Sequence, residues 1–236
     1  MNNKPTVFII YLAGSFGNFI ANLFYGKQIQ IKGDVDQRNA HLSKKKEYTF
    51  NAFRKHPNNL TPKDKKSFKT QQSQFGIHTL PFYHWLNFDF DLYFNNYKKI
   101  IVQPAENEIE IIGKRLYDVF LKHPNDLLEK GIKDIVLKNL NLPNKEYPEY
   151  FLDQLCIKDT VKNLQKDYKN LQDYKPNDRD IVLPYSKIKD KIFLESTITS
   201  IVDKLGIEYS GFPEPAATAF LSKNQEYFID NREQLN

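Results

Sequence analysis

The stretch TVFIIYLAGSFGNFIANLF, residues 6 to 24, decides the fold class of this chain. Residues Thr6 to Leu12 are mostly apolar and rich in β-branched and aromatic side chains, which is typical of a buried strand in a parallel sheet. Apolar residues then recur at helical spacing from Phe19 to Phe24, so we expect a helix that begins near Asn18. A strand that leads through a short turn into a helix indicates an α/β fold.

The same stretch also resembles a secretion signal, because Lys4 precedes it and small residues follow its most apolar part. Small and polar residues between Gly14 and Asn22 interrupt the apolar run, which is therefore too broken for a membrane-spanning helix. We expect no transmembrane segment.

Short apolar strands and amphipathic helices alternate along the rest of the chain. Further strands are predicted at Phe75 to Ile77, Ile100 to Val102 and Asp180 to Leu183. Helices are predicted from the start signal Thr61-Pro62 and over Glu106 to Leu121, Tyr147 to Tyr168, Phe193 to Leu205 and Pro215 to Phe228. The alternation predicts an α/β protein with three αβα layers, a central, mostly parallel sheet and a single domain over residues 1–236.

Composition is that of a folded globular chain with a mildly basic balance. Of the 236 residues, 40% are hydrophobic and 27% are charged, and the formal net charge is +5. This charge suits a groove for an anionic ligand. The one cysteine, Cys156, excludes an intrachain disulfide and a cysteine-based zinc site, and it favours a cytoplasmic setting.

The turn at residues 13–18, Ala-Gly-Ser-Phe-Gly-Asn, is the first candidate site. Ligands of parallel sheets sit beyond the carboxyl ends of the strands, and successive backbone N–H groups before a helix can point at one anion. The turn has neither the Gly-Lys-Ser/Thr of a Walker A loop nor the three spaced glycines of a dinucleotide-binding loop. A tight turn that binds no ligand, with Ser15 or Asn18 capping the helix, is the alternative.

This turn resembles the phosphate-binding loop of the nucleotide-dependent sulfotransferase family, which has the form Pro-Lys-Ser-Gly-Thr-Thr-Trp-Leu. Ser15, Phe19 and Ile20 match its serine, aromatic and aliphatic positions. The resemblance implies a P-loop NTPase or sulfotransferase-like fold with 3′-phosphoadenosine 5′-phosphosulfate (PAPS) as the cofactor. It also implies that Ser15 takes part in catalysis and that the cofactor is held by Gly14, Ser15, Phe16, Gly17, Asn18 and Phe19. The chain has no counterpart of the loop lysine, for which Lys27 is the nearest substitute.

The segment from Gly76 to Pro81 is similar to the family's Lys-Thr-His-Leu-Pro element, in which the histidine is the general base. An imidazole titrates near neutrality and can take the proton of an acceptor hydroxyl that attacks sulfur. We therefore expect His78 to lie at the end of a strand and to act as the base, with His84 as a weaker substitute. A structural histidine is the alternative.

Two later elements fall where the resemblance implies contacts to the rest of the nucleotide. Gln103 ends a predicted strand at the place where the family has an arginine that holds the 3′-phosphate. Lys114 or Arg115, in the following helix, would supply the missing charge, and a solvated helix face is the alternative for both. Tyr185 falls at the position that approaches the adenine.

The leading hypothesis is transfer of a sulfuryl group from PAPS to a hydroxyl of a small-molecule or saccharide acceptor, without a metal ion. The missing loop lysine and strand arginine allow an alternative, a catalytically inactive nucleotide- or phosphate-binding protein of the same fold. A kinase-like phosphoryl transferase is a third hypothesis, for which Asp34 and Asp36 are the nearest candidate metal ligands. We expect no binding of nucleic acid, because the lysine clusters lack interleaved aromatic residues. The sequence leaves the oligomeric state open.

Overall fold

The fold is seen in a computed structural model that describes residues 5–24, 26, 57–71, 76–121, 126–143 and 146–228. Lys27, Asp34 and Asp36, which the sequence suggests as catalytic or metal-binding substitutes, lie outside these ranges.

The described chain forms one four-stranded sheet and the helices around it. The strands are β1 (Thr6–Ile10), β2 (Gly76–Leu80), β3 (Tyr97–Gln103) and β4 (Asp180–Pro184). The helices are α1 (Gly17–Leu23), α2 (Pro62–Gln71), α3 (Ile109–Leu121), α4 (Asp126–Asn139), α5 (Glu149–Gln172), α6 (Lys191–Leu205) and α7 (Glu214–Lys223).

The sheet has the order β2-β1-β3-β4, and all of its strands are parallel. The chain moves in one direction from β1 to β2 and in the opposite direction from β3 to β4. Because crossovers between parallel strands are right-handed, these two connections lie on opposite faces of the sheet. Helix α1 packs on α7 through the stacked rings of Phe19 and Phe220, and Tyr174, after α5, contacts Lys99 on the other face. The predicted three-layer α/β architecture is confirmed.

Several helix ends follow from local chemistry that the sequence already shows. The Thr61 hydroxyl accepts from the backbone N–H of Asp64, whose carboxylate accepts from the Thr61 N–H, so the predicted start of α2 is confirmed. The Asp190 carboxylate caps α6 by accepting from the Phe193 N–H at 3.0 Å. Gly206 ends α6 with a left-handed φ of 62°, which glycine adopts without strain.

One predicted strand has a wrong boundary, and one helix was missed. The second strand does not end at Ile77 but continues to Leu80, so His78 lies in the middle of β2. Helix α4 was not predicted from the sequence. No helix in the described ranges is long and apolar enough to cross a membrane, and the apolar stretch near the amino terminus is divided between β1 and α1.

Aromatic rings cover the Phe8 face of the sheet. Phe8 has no exposed surface and packs against Phe90 and Phe94, with ring centroids 4.4 and 4.9 Å away. Phe90 and Phe94 belong to the segment that connects β2 to β3, so this connection crosses β1 directly over Phe8. The connection is therefore part of the core.

A row of four residues in register crosses this face: His78 of β2, Phe8 of β1, Lys99 of β3 and Asp180 of β4. At one end of the row, Lys99 Nζ lies 2.8 Å from Asp180 Oδ1, and both side chains are almost fully buried. Tyr174 joins the pair, since its hydroxyl accepts from Lys99 and donates to Asp180. This closed network lets the sheet bury a positive charge.

A small second cluster of buried side chains joins the helices of the β3–β4 connection. It consists of Tyr117 of α3, Val136 of α4 and Cys156 of α5. The Tyr117 hydroxyl donates to Asp153 at 2.6 Å. Burial raises the pKa of the Cys156 thiol, so the thiol stays protonated in this cluster.

The buried ion pair predicts an asymmetric response to substitution. Asp180→Asn leaves the Lys99 charge without its partner and is expected to lower the free energy of unfolding by about 3–5 kcal/mol. The double variant Lys99→Met/Asp180→Asn is expected to lose less unfolding free energy than Asp180→Asn alone, because it also removes the buried charge that has lost its partner. Urea-induced unfolding measures both differences.

The control is the exposed pair Lys191–Glu214, for which Glu214→Gln is expected to lower the free energy of unfolding much less than Asp180→Asn does. If Asp180→Asn and Glu214→Gln lower the free energy of unfolding equally, burial of the Lys99–Asp180 pair does not affect its contribution to stability.

Candidate functional site

The turn after β1 is closely packed against protein. Gly14 has a φ of 97°, and a Cβ at this position would lie 2.8 Å from the backbone oxygen of Ile112 in α3. The Ser15 side chain is fully buried, and its hydroxyl donates to the Leu12 carbonyl oxygen at 2.7 Å. Ser15 thus closes the turn on itself, and its hydroxyl is not exposed to a ligand in this conformation.

Gly17 and Asn18, at the start of α1, are fixed by Tyr11. A Cβ on Gly17 would lie 2.2 Å from the Tyr11 ring, so only glycine fits beneath this ring. The Tyr11 hydroxyl donates to Asn18 Oδ1 at 3.1 Å. Tyr11 therefore determines how closely the helix approaches the end of β1.

Phe16 is the centre of an aromatic stack. Its φ of 64° is rare for a residue with a bulky side chain, and its ring is almost fully buried. The ring stacks on Tyr185 at 5.9 Å and on Phe228 at 4.7 Å. Tyr185 is itself buried and donates its hydroxyl to the Tyr227 carbonyl oxygen, so its ring is part of the core and offers no open face to an adenine.

Arg115 also packs against Phe16. Its guanidinium carbon is 3.7 Å from the Phe16 ring centroid, and one terminal nitrogen donates to the Gly14 carbonyl oxygen. The side chain is 4% exposed, and its Nε has no hydrogen-bond partner in the structure. Burial lowers the pKa of Arg115 to about 10, so the guanidinium remains charged at neutral pH.

The charge of Arg115 also has no ionic partner within 4 Å among the described side chains. The nearest helix acid, Asp118, accepts instead from Lys114 and from the Tyr227 hydroxyl, each at 2.8 Å. A solvated helix face, the alternative interpretation, is therefore wrong for Arg115 and correct for the half-exposed Lys114.

His78 lies away from this turn. It is in register with Phe8, two residues before the end of β1, which corresponds to about 7 Å of strand. Its ring stacks on Phe8 at 5.5 Å, and its Nε2 would lie 2.8 Å from a Cβ on Gly76, so the ring leans toward the amino end of β2. The imidazole is 2% exposed, and an acceptor would have to pass through packed aromatic rings to reach it.

The other candidates divide between the core and the surface. Gln103 is the exposed last residue of β3, at the carboxyl edge, and Phe19 is buried against α7. His84 follows β2 in a short 3₁₀ helix, Tyr83–Trp85. The structure thus brings together Gly14, Phe16, Arg115 and Tyr185 from three separate segments, and it leaves His78 apart from them. Gln103 pairs in register with Pro184, the residue before Tyr185.

Sequence reasoning missed two groups of polar residues. One is the buried Lys99–Asp180–Tyr174 network, for which the only sequence signal is a charged residue inside an apolar strand. The other lines a cavity beside His84, where Asn87 and Asp89 alternate with aromatic residues. The described residues contain no group of three or more His, Cys, Asp or Glu side chains that could hold a metal ion.

Comparison with known proteins adds no identification. The chain matches no family model and no curated protein.

The contact between Gly17 and Tyr11 yields a prediction about the turn. Gly17→Ala is expected to lower the free energy of unfolding by about 1–3 kcal/mol, because the new methyl group overlaps the Tyr11 ring. Chemical denaturation measures the change.

Gly131→Ala in α4 is the matched control, because a Cβ at this position meets nothing within 4 Å. It is expected to stabilise the protein by about 0.5–1 kcal/mol through helix propensity. A neutral Gly17→Ala variant would mean that Tyr11 can move away and does not fix the turn.

Proposed function

We propose that this chain binds the phosphate group of a nucleotide-like ligand at the turn after β1, and that Arg115 is the residue that recognises the anion. The observation that carries the proposal is a buried guanidinium with an unpartnered Nε and no ionic partner within 4 Å among the described residues.

Burial of this charge is costly without a ligand. Moving a charged group out of water without a partner costs several kcal/mol, and buried charges in proteins are usually paired. The lowered pKa of Arg115 has burial as its main cause. It means that the protein destabilises the charged form relative to the neutral form by about 3 kcal/mol. Lys99, a buried cation of β3, is paired with a carboxylate, whereas the contacts of Arg115 with described residues are to a carbonyl oxygen and aromatic rings.

The shape of the guanidinium favours a phosphate. One terminal nitrogen is occupied by the Gly14 carbonyl oxygen, and one face is covered by Phe16. The buried Nε has no hydrogen-bond partner in the structure, and the fork of N–H groups in arginine matches phosphate and sulfate oxygens. The position is also the usual one for ligands of parallel α/β sheets, beyond the carboxyl ends of the strands.

A narrower proposal is that the anion belongs to PAPS and that the chain is a sulfotransferase-like enzyme with a P-loop-like turn. Its support is the convergence of Gly14, Phe16 and Arg115, which the resemblance to the sulfotransferase family implies as cofactor-binding residues, whereas the buried Tyr185 beside them offers no open face to the adenine. Transfer would need a base that reaches an acceptor hydroxyl, and His78 is buried on the Phe8 face. Anion binding by Arg115 does not depend on this base.

Arg115→Met tests the anion site, because it keeps an unbranched side chain of similar length and removes the charge. In calorimetry with 3′-phosphoadenosine 5′-phosphate, and separately with inorganic pyrophosphate, the variant is expected to bind about 10- to 150-fold more weakly than the wild type. This is the range for loss of hydrogen bonds to a charged group. Without a ligand, its thermal stability is expected to equal or exceed that of the wild type, because the unpaired charge is gone.

Lys114→Gln is the matched control, since it removes the same charge one residue away on the half-exposed side of α3. It is expected to change the affinity by less than about threefold, as for other surface charges. Wild-type protein that binds neither anion, or an Arg115→Met variant that binds as tightly as the wild type, would refute the site.

A further inference from the structure

A cavity of about 510 Å³ opens beside the segment that follows β2. Its walls come from three parts of the chain: the β2–β3 connection from His84 to Tyr93, the start of α2 with the 3₁₀ turn before it, and Asn170 near the end of α5. The volume lies within the range of small-molecule binding sites in proteins. The cavity uses none of the residues assigned to the Arg115 site.

Buried contacts hold the three walls in place. Phe68 of α2 is fully buried and packs edge-on against Tyr93 and Phe88, with ring centroids 5.2 and 6.0 Å away. On the other side, the Asp167 carboxylate accepts from the Tyr83 backbone N–H at 2.8 Å and from the Asn170 side-chain amide at 3.2 Å. Asp167 therefore fixes α5 to the connection next to His84, and the cavity is preformed.

The polar lining is dominated by side-chain amides. Asn58, Asn87 and Asn170 each present a carboxamide, which donates and accepts hydrogen bonds from the same group. The Asn170 amide nitrogen is held by Asp167, which leaves its carbonyl oxygen to accept from a ligand. A hydroxyl group also donates and accepts, so a carboxamide is its natural partner.

The charges of the lining cancel. Lys65 and Asp89 have opposite charges, and neither forms an ion pair with another described residue. Apart from His84, the lining has no net charge to attract an anion or a cation. Phe88 and Tyr93 add an apolar wall, with rings that are parallel within 8° and 5.6 Å apart.

We infer that this cavity binds a neutral, polyhydroxylated small molecule, a monosaccharide or a disaccharide. Ring hydroxyls would bond to the carboxamides and to Lys65 and Asp89, and the C–H face of the sugar would lie against the Phe88–Tyr93 wall. A phosphorylated or carboxylated ligand is disfavoured, because Asp89 would repel it and would oppose its attraction to Lys65. The inference goes beyond anion binding at Arg115 and does not depend on it.

The test is an NMR titration of the full chain, labelled with ¹⁵N, with glucose, galactose, mannose, maltose and trehalose at millimolar concentrations. At least one sugar is expected to saturate and to shift the amide resonances of Asn87, Tyr93 and Asn170. Its affinity is expected to be unchanged by added salt, because neither the ligand nor the lining has a net charge. Glucose 6-phosphate serves as the anionic comparison.

Asn87→Ala removes one exposed carboxamide of the lining and is expected to weaken sugar binding about fivefold, the effect of one lost hydrogen bond. Asn163→Ala, an exposed carboxamide on α5 that does not line the cavity, is the matched control and is expected to bind like the wild type. The inference is overturned if none of the five sugars saturates, if glucose 6-phosphate alone binds and salt releases it, or if Asn87→Ala binds as tightly as Asn163→Ala.

Discussion

The pairing of β1 with a neighbour on each side is the constraint on which the rest of this structure depends. All five residues of β1 are at most 2% exposed, so no edge of the strand meets water. A shift of one residue in its register would move Phe8 from the Phe90–Phe94 cluster to the opposite face and would misalign His78 and Lys99. The position of the turn after β1, and hence of the candidate anion site, is fixed by the same register.

Among the residues that the structure describes, Lys99 and Arg115 are cations buried around this sheet, and their surroundings differ. Lys99 lies level with the middle of β1, where the strands are covered on both faces, and its charge is balanced within the protein by Asp180. Arg115 lies near the carboxyl edge, where the ligands of parallel α/β sheets usually bind, and its buried Nε has no hydrogen-bond partner in the structure. The charge of Lys99 is therefore balanced by an acid within the protein, whereas Arg115 has no acidic partner among the described residues.

The sequence predicted the architecture more accurately than it predicted the arrangement of the candidate site. The first strand could be predicted because both of its faces are apolar. The start of α2 could be predicted because Thr61 caps the helix through a local contact. His78 was misplaced because the strand continues past it through Thr79 and Leu80, a length that depends on pairing with β1. The burial of Arg115 was beyond sequence reasoning, because it depends on contacts with residues about a hundred positions away in the chain.

The small cluster around Cys156 has a practical consequence for work on this protein. The chain has one cysteine, and it lies 1% exposed beneath α3 and α4 with its thiol held protonated. Maleimide reagents attack thiolates, so the native fold shields this side chain from labelling. A cysteine introduced at an exposed position such as Ile192 would therefore accept a fluorophore or spin label selectively, without removal of the native thiol.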